Sequence, residues 1–375
     1  MLRKQTRPPL SKGKLIIVNI CAVAAALVAS MIIMLFMKLN PFVVYQKLIV
    51  GSLGTAYRFR ETVNKAIPLT VLSLGICIAF KMKFWNIGAE GQFYMGAFAA
   101  TAVVMLFPNL PRPLMLTAMA LAGFLCGGLY ALIPAALKVK WGTSETLVTL
   151  MLNYVAQKWV SYLQYGPWRD PMGNGFPKIA RFAKNAILPK VGGIHIGWII
   201  TIVLAVLLFF LLRRTKFGYE VSVLGESMET AKYAGINVTR TMVFAVLISG
   251  GLCGLTGMMQ ASAIENSLSD NLSNNLGFTA VITTYLSQLN PLILVVVSFL
   301  FSMLLQGGSY LQSALQIPAA MANILQGVII FFVLGADFFV RYKLVWVKKE
   351  SKKSNDSTDA ANDNSTVQTK TPEVQ

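Results

Sequence analysis

The feature that most limits the fold of this chain is a series of apolar runs. Several of them approach or exceed the ~18–20 residues that cross a bilayer as a helix. Hydrophobic residues make up 55% of the 375 residues, and charged residues make up only 13%. Soluble globular domains carry roughly 25% charged residues. The chain is therefore predicted to be an all-α polytopic integral membrane protein.

The formal net charge of +18 would also suit a nucleic-acid-binding protein. The placement of the charge argues against that class, because most Lys and Arg residues lie between apolar runs, at their ends or before the first run. Membrane proteins use this placement to set their orientation. A basic nucleic-acid-binding domain instead clusters its charge on a soluble fold. We expect no nucleic-acid partner.

The apolar runs predict about ten transmembrane helices, within a range of 8–10, and residues 38–65 are predicted to be interfacial or briefly membrane-dipping. The predicted spans are 15–37, 66–80, 88–107, 114–137, 144–165, 194–212, 239–262, two spans within 277–308, and 318–340. The predicted domains are a basic cytoplasmic N-terminus (1–14), a transmembrane domain (15–345) with an extracytoplasmic loop (166–193), and a disordered cytoplasmic tail (346–375).

Orientation follows from the basic ends of the spans. With the N-terminus in the cytoplasm, "KMK", "KVK", "RRTK" and "RYKLVWVKK" all lie inside, as the positive-inside rule expects. Both termini are then cytoplasmic. Residues 38–65 and 166–193 also carry Lys and Arg but are predicted to lie outside, which longer loops tolerate. The run 15–37 is too long for a cleavable signal peptide and is predicted to be a retained first span.

Residue types that carry catalysis or bind metals are sparse. Cys21, Cys77, Cys126 and Cys253 all lie in apolar runs without CxxC spacing, so we expect buried hydrophobes. The single histidine, His195, has no cluster of ligands around it. No paired carboxylates stand out. We therefore predict no catalytic residues and no metal site.

A polar cluster lies inside an apolar segment at "FWNIGAEGQFYMGAFAA" (84–100), where a carboxylate is costly. Glu90 follows Asn86 by four residues, so on a helix the two share a face, while Gln92 lies off that stripe. Gly88 and Gly91 interrupt the segment. One interpretation is a glycine-broken helix entry at the interface, with Glu90 near the positive end of the helix dipole. The other is a polar patch that faces a substrate path or a partner subunit.

A second informative stretch is "KFGYEVSVLGESMETAKYAGINVTRT" (216–241), between two predicted spans on the cytoplasmic side. Its middle predicts a short helix, with Ser227 as the N-cap, Glu229 in the first turn and Gly235 at the end. The stretch is either an ordinary amphipathic connector or a docking helix for a groove on a soluble partner.

Three stretches carry a resemblance to a known family: "KFWNIGAEGQFYMGAFAA" (83–100), "ETLVTLMLNYVA" (145–156) and "FGYEVSVLGESMETAKYAGINVTRT" (217–241). Over roughly residues 15–345 the chain resembles the permease subunits of bacterial ABC importers. It is most similar to the nucleoside-type permeases, within the superfamily that also holds the ribose and branched-chain amino-acid permeases. The motif "NIGAEGQ", with Gly88, Glu90 and Gly91, favours the nucleoside branch.

The resemblance implies a type II importer-like permease whose cytoplasmic coupling loop (217–237) docks on an ATP-binding subunit. It implies no enzymatic activity and no cofactor of its own, because ATP is bound by the partner; the chain has no GxxxxGK[ST] motif. It also implies a second, related permease, a lipid-anchored substrate-binding protein and a location among the lipids of the bacterial plasma membrane. The residues that match the coupling pattern are Gly218, Glu220, Gly225, Glu226, Ala231, Ala234 and Gly235.

A nucleoside is neutral, so its path needs amide and hydroxyl groups beside apolar or aromatic faces. The candidates inside spans are Asn86, Gln92, Asn153 and Gln260, and each could equally form a helix-to-helix hydrogen bond. Glu90 is expected to serve architecture near the membrane surface.

Three alternatives remain open from the sequence. A permease for a simple sugar such as ribose or galactose would look the same. An ion-coupled secondary transporter would need several membrane-buried carboxylates, whereas only Glu90 and Glu145 lie near membrane depth. A membrane enzyme would need an acidic cluster or a His/Asp pair.

Overall fold

The residues that the structure describes form a mostly helical fold, as predicted. The computed structural model describes residues 2–6, 24–25, 27–36, 38–172, 175, 177–318 and 342–346, with isolated positions at 323, 324, 327, 328, 331 and 335. Four predictions fall mainly outside these residues: the N-terminal segment after Thr6, the start of the span 15–37, most of the span 318–340, and the tail after Trp346.

Twelve helices are described within these ranges, with two short antiparallel strand pairs, β1 with β4 and β2 with β3. The helices are α1 (Leu27–Phe36), α2 (Pro41–Leu53), α3 (Ala56–Lys81), α4 (Ala89–Leu106), α5 (Arg112–Trp141), α6 (Glu145–Tyr165), α7 (Gly197–Arg214), α8 (Lys216–Glu226), α9 (Met228–Tyr233), α10 (Val238–Gln260), α11 (Leu276–Leu286) and α12 (Pro291–Leu315). The strands are β1 (Leu2–Thr6), β2 (Lys190–Val191), β3 (Ile194–His195) and β4 (Tyr342–Trp346). A π-helical turn, Ala261–Glu265, extends α10.

Among the described residues, five helices are long and apolar enough to cross a membrane: α3, α5, α7, α12, and α10 with its π turn. The pair α1 and α2, bent by 116°, makes a sixth candidate. Helices α4 and α6 have 18 and 21 residues, which is sufficient length, but they include more polar residues. The predicted number of ten spans is therefore not confirmed by length and composition.

Two predicted segments differ from the structure. The span expected at 66–80 belongs to a 26-residue helix that begins at Ala56, where the Thr55 hydroxyl caps the Arg58 amide, so residues 38–65 are helical almost throughout. The region 277–308 does not hold two full spans. Helix α11 has 11 residues, or about 16 Å, which is only half of a ~30 Å hydrocarbon core.

Helix α10 lies at the centre of the bundle and packs against α3, α4 and α5. Two pairs of glycines four residues apart, a spacing that predicts close helix packing in a membrane, face each other across the contact between α5 and α10. They are Gly123 and Gly127 in α5 and Gly250 and Gly254 in α10. A Cβ atom on Gly127 would lie 2.5 Å from the carbonyl oxygen of Gly250, and one on Gly250 would lie 2.6 Å from that of Gly127. Close backbone approach of this kind is how helices associate in lipid.

The ends of several helices meet at one end of the bundle, which carries α8 and α9 and is called the loop end below. There, Lys138 in the last turn of α5 forms a 2.6 Å salt bridge with Glu145 at the start of α6. Lys83, just after α3, donates to the backbone carbonyl of Glu226 in α8 at 3.3 Å. Three apolar runs have basic ends, "KMK", "KVK" and "RRTK". All three therefore lie at the loop end of the bundle, as the positive-inside rule requires.

The segment 166–193 lies at the opposite end of the bundle. Its Asn185 side chain donates to the backbone carbonyls of Pro108 and Leu110, just beyond the end of α4, at 2.9 and 2.8 Å. Arg112 donates to the carbonyl of Ile187 at 2.8 Å. The basic residues of this segment are thus separated from those of the loop end by the length of the bundle.

Candidate functional site

Residues 82–88 form a connector that folds back into the bundle. After α3 ends at Lys81, the chain does not stay at the loop end. The fully buried Asn86 donates through Nδ2 to the Ser249 hydroxyl at 3.2 Å, and Ser249 lies halfway along α10. Helix α4 consequently begins inside the bundle. The sequence correctly suggested a glycine-broken helix entry here, but the entry is deep and not at an interface.

The predicted pairing of Asn86 with Glu90 on one helical face is wrong, because Asn86 precedes the first residue of α4. Asn86 instead pairs with Gln92 through two amide hydrogen bonds of 3.1 and 2.9 Å. Its Oδ1 also accepts from the backbone amide of Gly88 at 3.0 Å. Both side chains are buried, and their hydrogen-bonding groups are occupied within the connector and the start of α4.

Asn153 fixes α6 to the same connector. Its Oδ1 accepts from the Gly91 amide at 2.8 Å, and its Nδ2 donates to the Ile87 carbonyl at 2.9 Å. The backbones approach so closely that a Cβ on Gly91 would lie 3.0 Å from the Asn153 Cα, so only glycine fits without a shift. The amide of Asn153 is thus used to join two elements.

The Glu90 carboxylate lies in the first turn of α4 and between two helix starts. It accepts from the Ser273 hydroxyl and, at 2.7 Å, from the backbone amide of Gly277 in the first turn of α11. The Ser273 oxygen itself accepts from the Asn275 amide at 3.1 Å. Helix N-termini carry unpaired amides and positive partial charge, which a carboxylate satisfies. The expected architectural role fits this geometry. Glu90 is buried among the helices, one turn beyond the connector that contacts the middle of α10, which differs from the expected place near the membrane surface.

The sequence analysis did not identify Ser273 and Gly277, because the stretch "ENSLSDNLSNN" (265–275) has only the composition of a polar loop between two predicted spans. A signal was present: Ser and Asn residues followed by "LGFTAV" are typical of a helix start. What the sequence could not reveal is that this start lies opposite another helix start 183 positions earlier in the chain.

Gln260, the last residue of α10, lies apart from the other three path candidates. It lines a cleft of about 640 Å³ at the end of the bundle opposite the loop end. The walls come from the first half of α3, the end of α10 with its π turn, the start of α11, and α12, together with the isolated positions Asn323 and Gly327. Asn86, Gln92 and Asn153 do not line this cleft.

The predicted coupling loop contains two helices, α8 and α9, where the sequence predicted one. The second matches the prediction: the Ser227 hydroxyl accepts from the Thr230 amide at 3.3 Å, and Gly235 follows the helix with φ +72°. The first, Lys216–Glu226, was missed, although Thr215 caps it by accepting from the Gly218 amide at 3.1 Å.

The residues that match the coupling pattern divide into packing and exposed positions. A Cβ on Gly225 would overlap the backbone carbonyl oxygen of Lys81, so α8 rests directly on the end of α3. The Glu220 carboxylate accepts from the Thr241 hydroxyl of α10 at 2.9 Å. Tyr233 on α9 is 94% exposed. Of the pattern, Gly218, Gly225 and Ala231 are buried, Glu220 is half-buried, and Glu226, Ala234 and Gly235 are exposed.

Within the described ranges, no group of three or more His, Cys, Asp or Glu residues is placed to hold a metal ion. His195 is 3% exposed and lies in β3, opposite Lys190 of β2. Burial, with a further contribution from the charge of Lys190, lowers the pKa of His195 to about 4. Its imidazole is therefore neutral at ordinary pH.

Comparison with known proteins agrees with this architecture. Residues 58–334 match the family described as branched-chain amino acid transport system / permease component, and the chain belongs to this family of ABC transporter permeases. The glucose ABC transporter permease protein of Haloferax volcanii is 30% identical, over 87% of this chain and 88% of that protein. The nucleoside ABC transporter permease protein of Lactococcus lactis subsp. cremoris is 27% identical, over 86% and 92%. The guanosine ABC transporter permease protein of Bacillus subtilis is 26% identical, over 89% and 97%.

The family fixes the general role. The chain is a multi-pass membrane permease subunit, a component that is not itself catalytic, in a family whose members work with an ATP-binding subunit and a substrate-binding protein. Membership in a family of ABC transporter permeases accordingly argues against ion-coupled secondary transport.

Proposed function

We propose that this chain is the permease subunit of an ATP-driven importer that moves nucleosides across the bacterial plasma membrane. The observation that carries the proposal is similarity to a nucleoside permease and a guanosine permease over 92% and 97% of their own lengths. The polar cleft is consistent with it, because amide and hydroxyl groups suit a neutral, hydroxyl-rich solute.

The loop end is the proposed docking face for the ATP-binding subunit, and the chain needs no cofactor of its own. Helix α9 exposes Met228 and Tyr233, while α8 behind it packs on the end of α3 through Gly225. A small, exposed helix with a rigid support is suited to a groove on a partner. By the positive-inside rule, the basic residues at this end support a cytoplasmic location for it and for both chain termini.

Two further partners complete the proposal. A second permease subunit, a related but different chain, would pack beside this one. A lipid-anchored binding protein would deliver the solute to the end of the bundle opposite the loop end. Lipid surrounds the remaining apolar surface, which includes exposed side chains such as Leu121, Leu125 and Leu129 on α5.

A simple-sugar permease is the second candidate. It is favoured by one observation, the 30% identity with a glucose permease of the same family. Glucose and the ribose of a nucleoside share neutral, hydroxyl-bearing chemistry, so the same groups of the protein could serve either.

Uptake of labelled nucleosides, ribose and glucose, measured in cells that lack the chain and in complemented cells, tests the proposal. Loss of nucleoside uptake alone, restored by complementation, would support it. Loss of sugar uptake alone would move the substrate to the second candidate. If neither changed, the proposed substrates would be wrong.

A further inference from the structure

We propose that the cleft at the end opposite the loop end binds the sugar hydroxyls of the transported solute, as a ribose in a nucleoside or as a free sugar. This inference rests on the proposed function and adds to it a site and the groups that bind. It concerns residues of which the sequence had singled out only Gln260.

Polar residues from four elements meet in this cleft. Asn64 lies on α3, Gln260 ends α10, Asn275 precedes α11, and Gln312 lies on α12. Three of these elements are otherwise long apolar helices of membrane-spanning length. These side chains lie in the parts of the helices that line the cleft, and polar groups of membrane helices that converge on one cavity generally mark a solute pathway.

The amides of the cleft differ from the other amides of the bundle in what they bind. Asn86, Gln92 and Asn153 are occupied by internal hydrogen bonds. The side chains of Gln260 and Gln312, by contrast, make no hydrogen bond to any other described residue. An amide both donates and accepts, which matches a sugar hydroxyl that does the same.

The charges of the cleft also favour a neutral solute. Its lining holds the carboxylates of Glu61 and Glu265 and the ammonium group of Lys65, and Lys65 donates to the Ser309 hydroxyl at 3.0 Å. Two negative groups against one positive group make a poor site for an anion such as a phosphate ester.

One wall of the cleft is held rigidly from behind. The backbone amide of Asn275 donates to the Ser273 hydroxyl, which in turn donates to the buried Glu90 carboxylate. A binding group is effective when its own position is fixed by supporting bonds. The Glu90 cluster therefore supports the wall of the cleft.

The test uses the complete transporter in cells, with labelled nucleoside, ribose and glucose as separate arms. Gln260→Ala and Gln312→Ala are compared with Gln306→Ala, a control on the same helix α12 whose side chain does not line the cleft. Membrane levels of each variant are measured by immunoblot. Loss of one neutral hydrogen bond should raise the KM for uptake by up to ~10-fold in each cleft variant, and by less than about twofold in the control.

The labelled solute whose KM rises identifies the source of the sugar group. A raised KM for the nucleoside supports the site, and so does a raised KM for a free sugar. Normal KM values in both cleft variants, at normal membrane levels, would overturn the cleft while leaving the proposed function intact. An unaltered phenotype on deletion of the wild-type chain would overturn the proposed function, and the cleft with it.

Discussion

Replacing Glu90 gives the sharpest test of the architecture, because its carboxylate serves two helix starts at once. Glu90→Gln keeps the size of the side chain but leaves only one oxygen, so its NH₂ group faces one of the two donors, Ser273 or the Gly277 amide. A hydrogen bond to a charged group contributes roughly 1.5–3 kcal/mol, and a buried donor left unpaired costs about 1–3 kcal/mol. We expect Glu90→Gln to cost about 2–3 kcal/mol and Glu90→Ala about 3–5 kcal/mol, since alanine removes both acceptors.

The assay is the apparent melting temperature of the purified protein in detergent, followed by tryptophan fluorescence. Glu226→Gln is the matched control, because Glu226 is an exposed carboxylate near the same connector. A cycle with Ser273→Ala sharpens the test: the double variant should lose less than the sum of the single losses, since both changes remove one bond. Wild-type melting of Glu90→Gln would show that the carboxylate does not hold the two helix starts.

Three further outcomes follow from other contacts. Gly225→Val should abolish uptake at normal membrane levels, because the valine side chain would overlap the Lys81 carbonyl and displace α8. Lys216→Val, on the exposed start of α8, is the control. Normal uptake by Gly225→Val would contradict the assignment of the coupling loop. Asn153→Leu should lower the stability by about 2–4 kcal/mol, because it leaves the Gly91 amide and the Ile87 carbonyl unpaired. Equal melting temperatures of this variant and wild type would show that Asn153 does not fix α6 to the connector. His195 has a pKa of about 4 in the folded chain against ~6.5 unfolded, so stability is fully present above about pH 6.5 and falls by about 3 kcal/mol as the pH drops to 4. His195→Gln should flatten this dependence in melting measured from pH 7 to 4.5, and an unchanged slope would count against a neutral, buried imidazole.

Features governed by local sequence were predictable. The apolar runs gave the helical membrane class, and the capping residues Ser227 and Gly235 gave α9 with nearly its observed bounds. The glycine pairs of α5 and α10 correctly indicated close helix contact. Each of these depends on residues within a few turns of one another, where spacing alone defines geometry.

Features governed by distant contacts were not predictable. Asn86 has the spacing of a helical partner of Glu90, yet the helix begins only at Ala89, because Asn86 bonds Ser249 on α10 and so holds the chain in a connector. Likewise, four polar amides looked equivalent in the sequence. Only their three-dimensional surroundings separate Gln260, in the cleft, from those that bond internally.

The short helix α11 also has a consequence for biosynthesis. A segment of about 16 Å cannot cross a ~30 Å core by itself, and the irregular backbone before it needs protein partners wherever it lies at membrane depth. Those partners, among them Glu90, Tyr94 and Gln164, are synthesised 106 to 187 positions earlier. Helices α4 and α6 must therefore already stand in the membrane when α11 leaves the ribosome, so insertion of this segment is a late step that depends on the assembly of earlier ones.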